Sequence, residues 1–167
     1  MRYASIESFD ICNGEGVGVS LFVQGCNFRC HGCFNSNAWD FNGGKEWTKE
    51  VEEEFMKLID RPYINRVSIL GGEPLAAPYQ VYRLTERIRQ RYGDRKNIWI
   101  YSGYTWDEIV SSCEKTKAII NANVLVDGRF EEDKKDLSLK FRGSSNQRLI
   151  DVKKSFEKGD VVLWDTF

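Results

Sequence analysis

The chain has 167 residues, of which 41% are hydrophobic and 29% charged, and its formal net charge is −1. That size and composition suit one soluble domain covering 1–167. The lack of a basic excess excludes a phosphate-backbone binder as the first reading, and no stretch approaches the ~20 apolar residues of a membrane span.

Residues 1–10 carry no apolar run of secretory type, so a cytoplasmic location is expected. Val19–Val23 reads as a buried strand that ends at Gln24 and Gly25 and leads straight into Cys26, Cys30 and Cys33. In a reducing compartment, thiols clustered in this Cys-x3-Cys-x2-Cys spacing point to metal or redox chemistry rather than disulfides. Cys12 and Cys113 stand apart and read as plain thiols of the buried kind. A cubane iron–sulfur cluster normally takes four thiolates, so three leave one iron open to a small molecule. On spacing alone structural zinc stays open as an alternative, but it wants four ligands. His31, the single histidine, is awkwardly placed beside Cys30 and is expected to face solvent or the loop. Trp39, Phe41 and Trp47 read as packing over the metal loop.

Thr48 is the expected N-cap of a helix reaching about Asp60, with Glu52, Glu53 and Glu54 near its positive end and Val51, Phe55, Leu58 and Ile59 inward. Arg66–Leu70 reads as a second buried strand, closed by Gly71 and Gly72 and followed by Glu73 and Pro74. A helix over Tyr79–Tyr92 presents Val81, Leu84, Ile88 and Tyr92 inward, leaves Arg83, Arg87 and Arg91 on an exposed face, and stops at Gly93. Ile98–Tyr101 forms a third strand ending at Ser102 and Gly103, and Thr105 caps a helix expected to run through about Cys113 with Ile109 and Val110 inward. Tyr101, Tyr104 and Trp106 suit either a pocket mouth or the core. Val124–Val126 ends at Asp127 and Gly128. The run Glu131–Asp136 reads as a solvated loop or hairpin, and Arg142–Arg148 as a polar segment with no apolar period.

Alternating strands and helices predict an α/β fold with a mainly parallel sheet whose strands are covered on both faces. Ligands bind beyond the C-terminal strand ends of such sheets, and four glycine-bearing strand ends around a metal loop point to a pocket there. The strands are too few for a closed eight-stranded barrel, so an open partial (βα) barrel is expected.

In Gly71, Gly72, Glu73 and Pro74, two glycines expose backbone to a ligand, a carboxylate can accept from an ammonium group, and proline fixes the exit from the turn. Together with the cysteine triad, this tetrad makes the sequence resemble the radical S-adenosylmethionine (SAM) enzymes. The resemblance implies a [4Fe-4S] cluster on Cys26, Cys30 and Cys33 whose open iron is chelated by the amine and carboxylate of SAM. It also implies reductive cleavage of the sulfonium C–S bond and hydrogen abstraction by the resulting 5′-deoxyadenosyl radical. The cluster and the cofactor carry the chemistry, and no other catalytic residue is implied. Cofactor contacts fall by resemblance on Gly32, Cys33, Phe34, Gly71, Gly72, Glu73, Pro74, Ser102 and Asp127, with Phe34 over the adenine.

Within that superfamily, Gly32, Cys33, Phe34 and Asn35 are similar to the activating proteins of anaerobic ribonucleoside-triphosphate reductase. Asn13–Gly14, Phe22–Cys26, Ile98–Thr105, Val124–Phe130 and above all Arg142–Arg148 agree. This narrower resemblance implies a glycyl-radical activase with the reductase large subunit as partner and flavodoxin or a similar carrier as electron donor. A 7-carboxy-7-deazaguanine synthase shares the triad and the tetrad, but the Arg142–Arg148 segment argues against it. The chain departs from common patterns at Gly32, where many members have an aromatic residue, and at Glu73, where this subfamily often has aspartate.

Overall fold

The computed structural model describes residues 1–165. Among the described residues, five α-helices and a seven-stranded mixed sheet make up the fold: β1 (Arg2–Asp10), β2 (Gly18–Gln24), β3 (Lys45–Glu46), α1 (Lys49–Ile59), β4 (Arg66–Gly71), α2 (Pro78–Tyr92), β5 (Asn97–Tyr101), α3 (Trp106–Val110), α4 (Cys113–Ile119), β6 (Val124–Asp127), β7 (Arg148–Asp151) and α5 (Val152–Lys158). The sheet order is β3-β1-β2-β4-β5-β6-β7. Strands β2, β4, β5 and β6 are parallel neighbours, and antiparallel strands β1, β3 and β7 complete the two sides. The four expected strands are therefore the parallel centre, while β1, β3 and β7 are additions to the sequence reading.

Alternation along the central strands assigns their two faces different jobs. Val19, Leu21, Val23, Val67, Ile69, Ile98, Ile100 and Leu125 point to the helices and pack with Phe55, Met56, Ile59, Val81, Leu84, Ile88, Ile109 and Ile119 in one core. The intervening residues, including Ser20, Phe22, Arg66, Ser68, Leu70, Trp99 and Tyr101, form the other face. Helices thus cover one face only. The second is closed by a buried polar network, by loops and by a small aromatic cluster in which Trp99 meets Phe141 at 5.3 Å and Trp164 at 6.2 Å. The central strands are thus covered on both faces, as expected, but by helices on one side and by loops and a polar network on the other.

Helix starts follow local capping chemistry. Thr48 accepts from Val51 N, and Thr105 and Glu108 form a reciprocal capping box. The helix expected from Thr105 through Cys113 breaks, however, into α3 and α4. Ser112 caps the second piece by accepting from Lys115 N, and Val110 is exposed while Ile109 is buried. Arg83, Arg87 and Arg91 lie on the outer side of α2, where Arg87 pairs with Glu52 and Glu53, and Arg91 with Asp60.

At the amino end of the parallel strands, fully buried Arg66 donates to Asp10 O at 2.6 Å, Asn13 O at 2.5 Å, Ser68 Oγ and Asp10 Oδ2. Burial acts to raise the Asp10 pKa, but bonds from Ser20, the Cys12 amide and Asn13, with the Arg66 charge, outweigh it and hold the carboxylate below its ordinary value. The network fixes the β1–β2 connection against the inner face of the sheet.

Candidate metal centre

The cysteine loop leaves β2 at Gly25. Its root is held by Gly25 N donating to Ala38 O and Cys26 N to Trp39 O. Arg29 takes a left-handed conformation, φ 51°, at the bend between Cys26 and Cys30. The three thiols are free, half-buried, and line one cavity of about 440 Å³ beyond the C-terminal ends of the strands. The same wall contains Phe34, Gly71, Gly72, Glu73, Ser102 and Gly103. Its volume lies within the range of small-molecule sites.

Chemistry at the sulfurs suits a cluster. Backbone amides of Phe28 and Arg29 donate to Cys26, that of Phe130 to Cys30, and Asn35 N reaches Cys33 Sγ at 3.4 Å. Such N–H donors favour thiolate and tune bound iron–sulfur groups. Burial nevertheless pushes the Cys26 and Cys30 thiols up, outweighing these amides and, at Cys30, the charge of Arg129. Among the described residues, no three His, Cys, Asp or Glu side chains stand converged as in a finished metal site. The loop brings the thiols to one wall, and metal binding would complete their convergence.

Strand ends β2, β4 and β5 are joined behind the cysteines. Gly72 N donates to Val23 O and Glu73 N to Gly25 O, both at 2.8 Å. A Cβ on Gly72 would stand 2.4 Å from Gly25 O, so glycine is required there by a backbone crossing rather than by a ligand. Gly71 adopts φ 104°, closed to ordinary side chains. Glu73 is 2% exposed and its carboxylate is already occupied: Leu75 N at 2.8 Å, Ser102 Oγ at 2.9 Å and Gly103 N at 2.7 Å all donate to it. Burial pushes its pKa up to about 7 against these three donors. The expected ammonium acceptor therefore also braces two strand ends.

Three other expected cofactor residues fall outside the cavity wall. Gly32 abuts the Glu132 side chain, and Pro74 opens a short 3-10 turn lining a separate cavity behind the loop. Asp127, 1% exposed, accepts from Trp106 N at 2.8 Å and pairs with Arg148. It fastens β6 to α3 and β7, a structural role the sequence reading did not assign it. Trp47 packs on Tyr3 and Phe55, away from the loop it was expected to cover. Cys12 and Cys113 are exposed rather than buried, and Cys12 lies on the cavity wall.

The segment after β6 closes the cavity from the β7 side. Its dense polar residues bond largely to one another and to the strand end. Gln147 Oε1 accepts from Gly143 N and Ser144 N, Gln147 Nε2 donates to Gly128 O, and Asn146 Nδ2 to Arg129 O. Arg142, Gly143 and Gln147 reach the cavity. The segment also grips the cysteine loop: His31 bonds Glu132, Phe34 meets Phe130 at 5.2 Å, and Arg129 lies 4.4 Å over Phe28. His31 is thus a surface latch between the two loops.

Comparison with known proteins agrees with this thiol-lined cavity. Residues 12–150 match the family model described as a 4Fe-4S single cluster domain, which sets the class: an iron–sulfur protein. The chain is 39% identical over 151 residues to the anaerobic ribonucleoside-triphosphate reductase-activating protein of Escherichia coli (strain K12), covering 88% of this chain and 96% of that protein. The like-named protein of Salmonella typhi is 38% identical over the same shares, and that of Enterobacteria phage T4 is 31% identical over 89% and 93%. The chain belongs to the anaerobic ribonucleoside-triphosphate reductase-activating protein family.

Proposed function

We propose that this chain, as a single radical SAM domain over 1–167 with an open partial (βα) barrel, is an oxidoreductase that activates anaerobic ribonucleoside-triphosphate reductase. Cys26, Cys30 and Cys33 would hold a [4Fe-4S] cluster, and SAM would occupy the adjoining wall at Gly71, Gly72 and Phe34. The observation that carries this reading is that the three thiols and the Gly71–Glu73 turn share one cavity, joined by the Glu73 N to Gly25 O bond. Bound there, the cluster and SAM would supply one-electron cleavage of a sulfonium C–S bond and removal of a hydrogen atom from a glycine of the reductase large subunit. The protein's own residues direct donor N–H groups at the thiolates, fix the turn against the metal loop, and shield the site with the Arg129–Gln147 segment. Flavodoxin or a similar carrier suits the electron supply. No helix among the described residues is long and apolar enough to cross a membrane, which fits the expected cytoplasmic setting.

Anaerobic incubation with the reductase, SAM and dithionite is expected to yield a glycyl electron-spin resonance doublet. A preparation with four irons and four sulfides per chain that cleaves SAM but leaves the reductase without that signal would overturn the reading.

A further inference from the structure

Two polar side chains of the closing segment hold one stretch of backbone, and that stretch carries a cation to the metal loop. Gly128, at φ 95°, donates from N to Tyr104 O at 3.1 Å, and its carbonyl accepts from Gln147 Nε2 at 3.0 Å. The carbonyl of Arg129 accepts from Asn146 Nδ2 at 2.8 Å. Between these anchors the Arg129 guanidinium stacks 4.4 Å from the ring centre of Phe28, which stands between Cys26 and Cys30. Arg129, Phe28 and the three cysteines line the same cavity. Stacking of this kind fixes a guanidinium in place without cancelling its charge. The acidic residues that follow it are engaged elsewhere: Glu131 pairs with Lys134 and Glu132 bonds His31, so that among the described residues no carboxylate pairs with Arg129. Burial and the Cys33 charge push the Cys30 thiol up, and the Phe130 amide and the Arg129 charge pull it down. At Cys26 the neighbouring charges, Glu73 and Cys30, are negative.

We propose that the Arg129 charge favours the reduced form of the cluster and so sets the potential at which the chain accepts an electron. This rests on the three-cysteine cluster reading above. The step is transfer of one electron from an external reductant, which is oxidised, to the cluster, which is reduced, with no bond made or broken. An added electron makes a cluster on thiolate ligands more negative. A nearby positive charge therefore stabilises the reduced state more than the oxidised one. Low exposure and the thiolates themselves act the other way and make reduction hard. One cation on the wall eases electron entry without supplying a ligand. Asn146 and Gln147 are positioning residues, acting through the main chain on either side of the arginine. That accounts for two polar side chains of the Arg142–Arg148 segment, which fix the cation and leave the cluster untouched.

The test is a redox titration of the full chain, reconstituted anaerobically with iron and sulfide and kept free of SAM. It is followed by the electron-spin resonance signal of the reduced cluster. Arg129 is exposed, so solvent screens part of its charge, and one such charge is worth about tenfold in an equilibrium of this kind. Arg129→Gln should therefore lower the reduced-to-oxidised ratio at a fixed poise about tenfold, a midpoint ~59 mV lower for a one-electron couple. Arg129→Lys keeps the charge and should stay close to the wild type. An unchanged midpoint in Arg129→Gln would overturn the proposal. An equal shift in both variants would do the same, since packing on Phe28 and not charge would then be responsible. Loss of iron from Arg129→Gln would overturn it too, because the side chain would then brace the loop. A wild-type chain with no reducible four-iron signal would instead sink the cluster reading, and this inference with it.

Discussion

Glu73 accepts from Ser102 Oγ at 2.9 Å, so the ends of β4 and β5 are tied through a carboxylate with almost no exposure. The same carboxylate takes the amides of Leu75 and Gly103. Replacing it with the isosteric amide turns an N–H₂ toward one of these donors. Glu73→Gln should therefore cost about 1–3 kcal/mol, the penalty for unsatisfied buried polar groups, as read by denaturant unfolding.

The pH dependence of that loss has a definite sign. Folding raises the Glu73 pKa from 4.5 to about 7, chiefly by burial, so between these values the folded state binds more protons than the unfolded one. Its contribution to stability is fullest below about pH 4.5 and declines as pH rises to about 7. The wild-type advantage over Glu73→Gln should shrink across this window and level off above it. An advantage that grows from pH 5 to 7 in paired unfolding curves would contradict the assignment.

Gly72→Val tests the backbone crossing. A Cβ there meets Gly25 O at 2.4 Å, which opposes the Glu73 N to Gly25 O bond at the root of the cysteine loop. The variant should lose thermal stability and bound iron together. Normal iron content with weakened SAM binding alone would mean that the turn faces the cofactor more than it supports the loop.

Arg148 is the partner that Asp127 cannot readily replace, reaching its carboxylate through Nε at 3.0 Å and Nη2 at 2.5 Å. Arg148→Met would leave a buried carboxylate with Trp106 N as its one remaining donor among the described residues. Breaking a buried pair from one side costs about 3 kcal/mol or more, and partial exposure of Arg148 puts this case at the lower end. A stability change within experimental error would show that solvent takes over the arginine's role.

Much of the parallel centre was legible because Val19–Val23, Arg66–Leu70, Ile98–Tyr101 and Val124–Val126 are compact apolar runs closed by turn residues. The exceptions inside them carried the rest of the architecture. Ser20, Arg66 and Ser68 break the apolar runs at period two, which marks an inner face satisfied by hydrogen bonds rather than helices. Strand β1 was not legible because its burial is irregular and two register shifts interrupt its pairing with β2. Asp127 was assigned to the cofactor by family resemblance alone, and only tertiary structure supplies its partners Trp106 and Arg148. The spacing of Cys26, Cys30 and Cys33 anticipated that their thiols would share one cavity wall. That Tyr101 and Arg142 face the same cavity depends on a loop returning from β6 to β7, which no local pattern encodes.

Removing thiols one at a time separates ligands from bystanders. Cys30 lines the cavity between a bend at Arg29 and the Phe130 amide, whereas Cys113 is exposed at the start of α4. On the proposed ligation, in which three thiols hold the cluster and one iron stays open, loss of one more ligand should leave no stable four-iron cluster. Cys30→Ala, and likewise Cys26→Ala and Cys33→Ala, should emerge from anaerobic reconstitution with iron and sulfide well below four per chain. Cys113→Ser should match the wild type in both. A Cys30→Ala protein that keeps the full complement would show that another thiol, with Cys12 on the same wall as the nearest candidate, can take its place, and the three-cysteine assignment would fall.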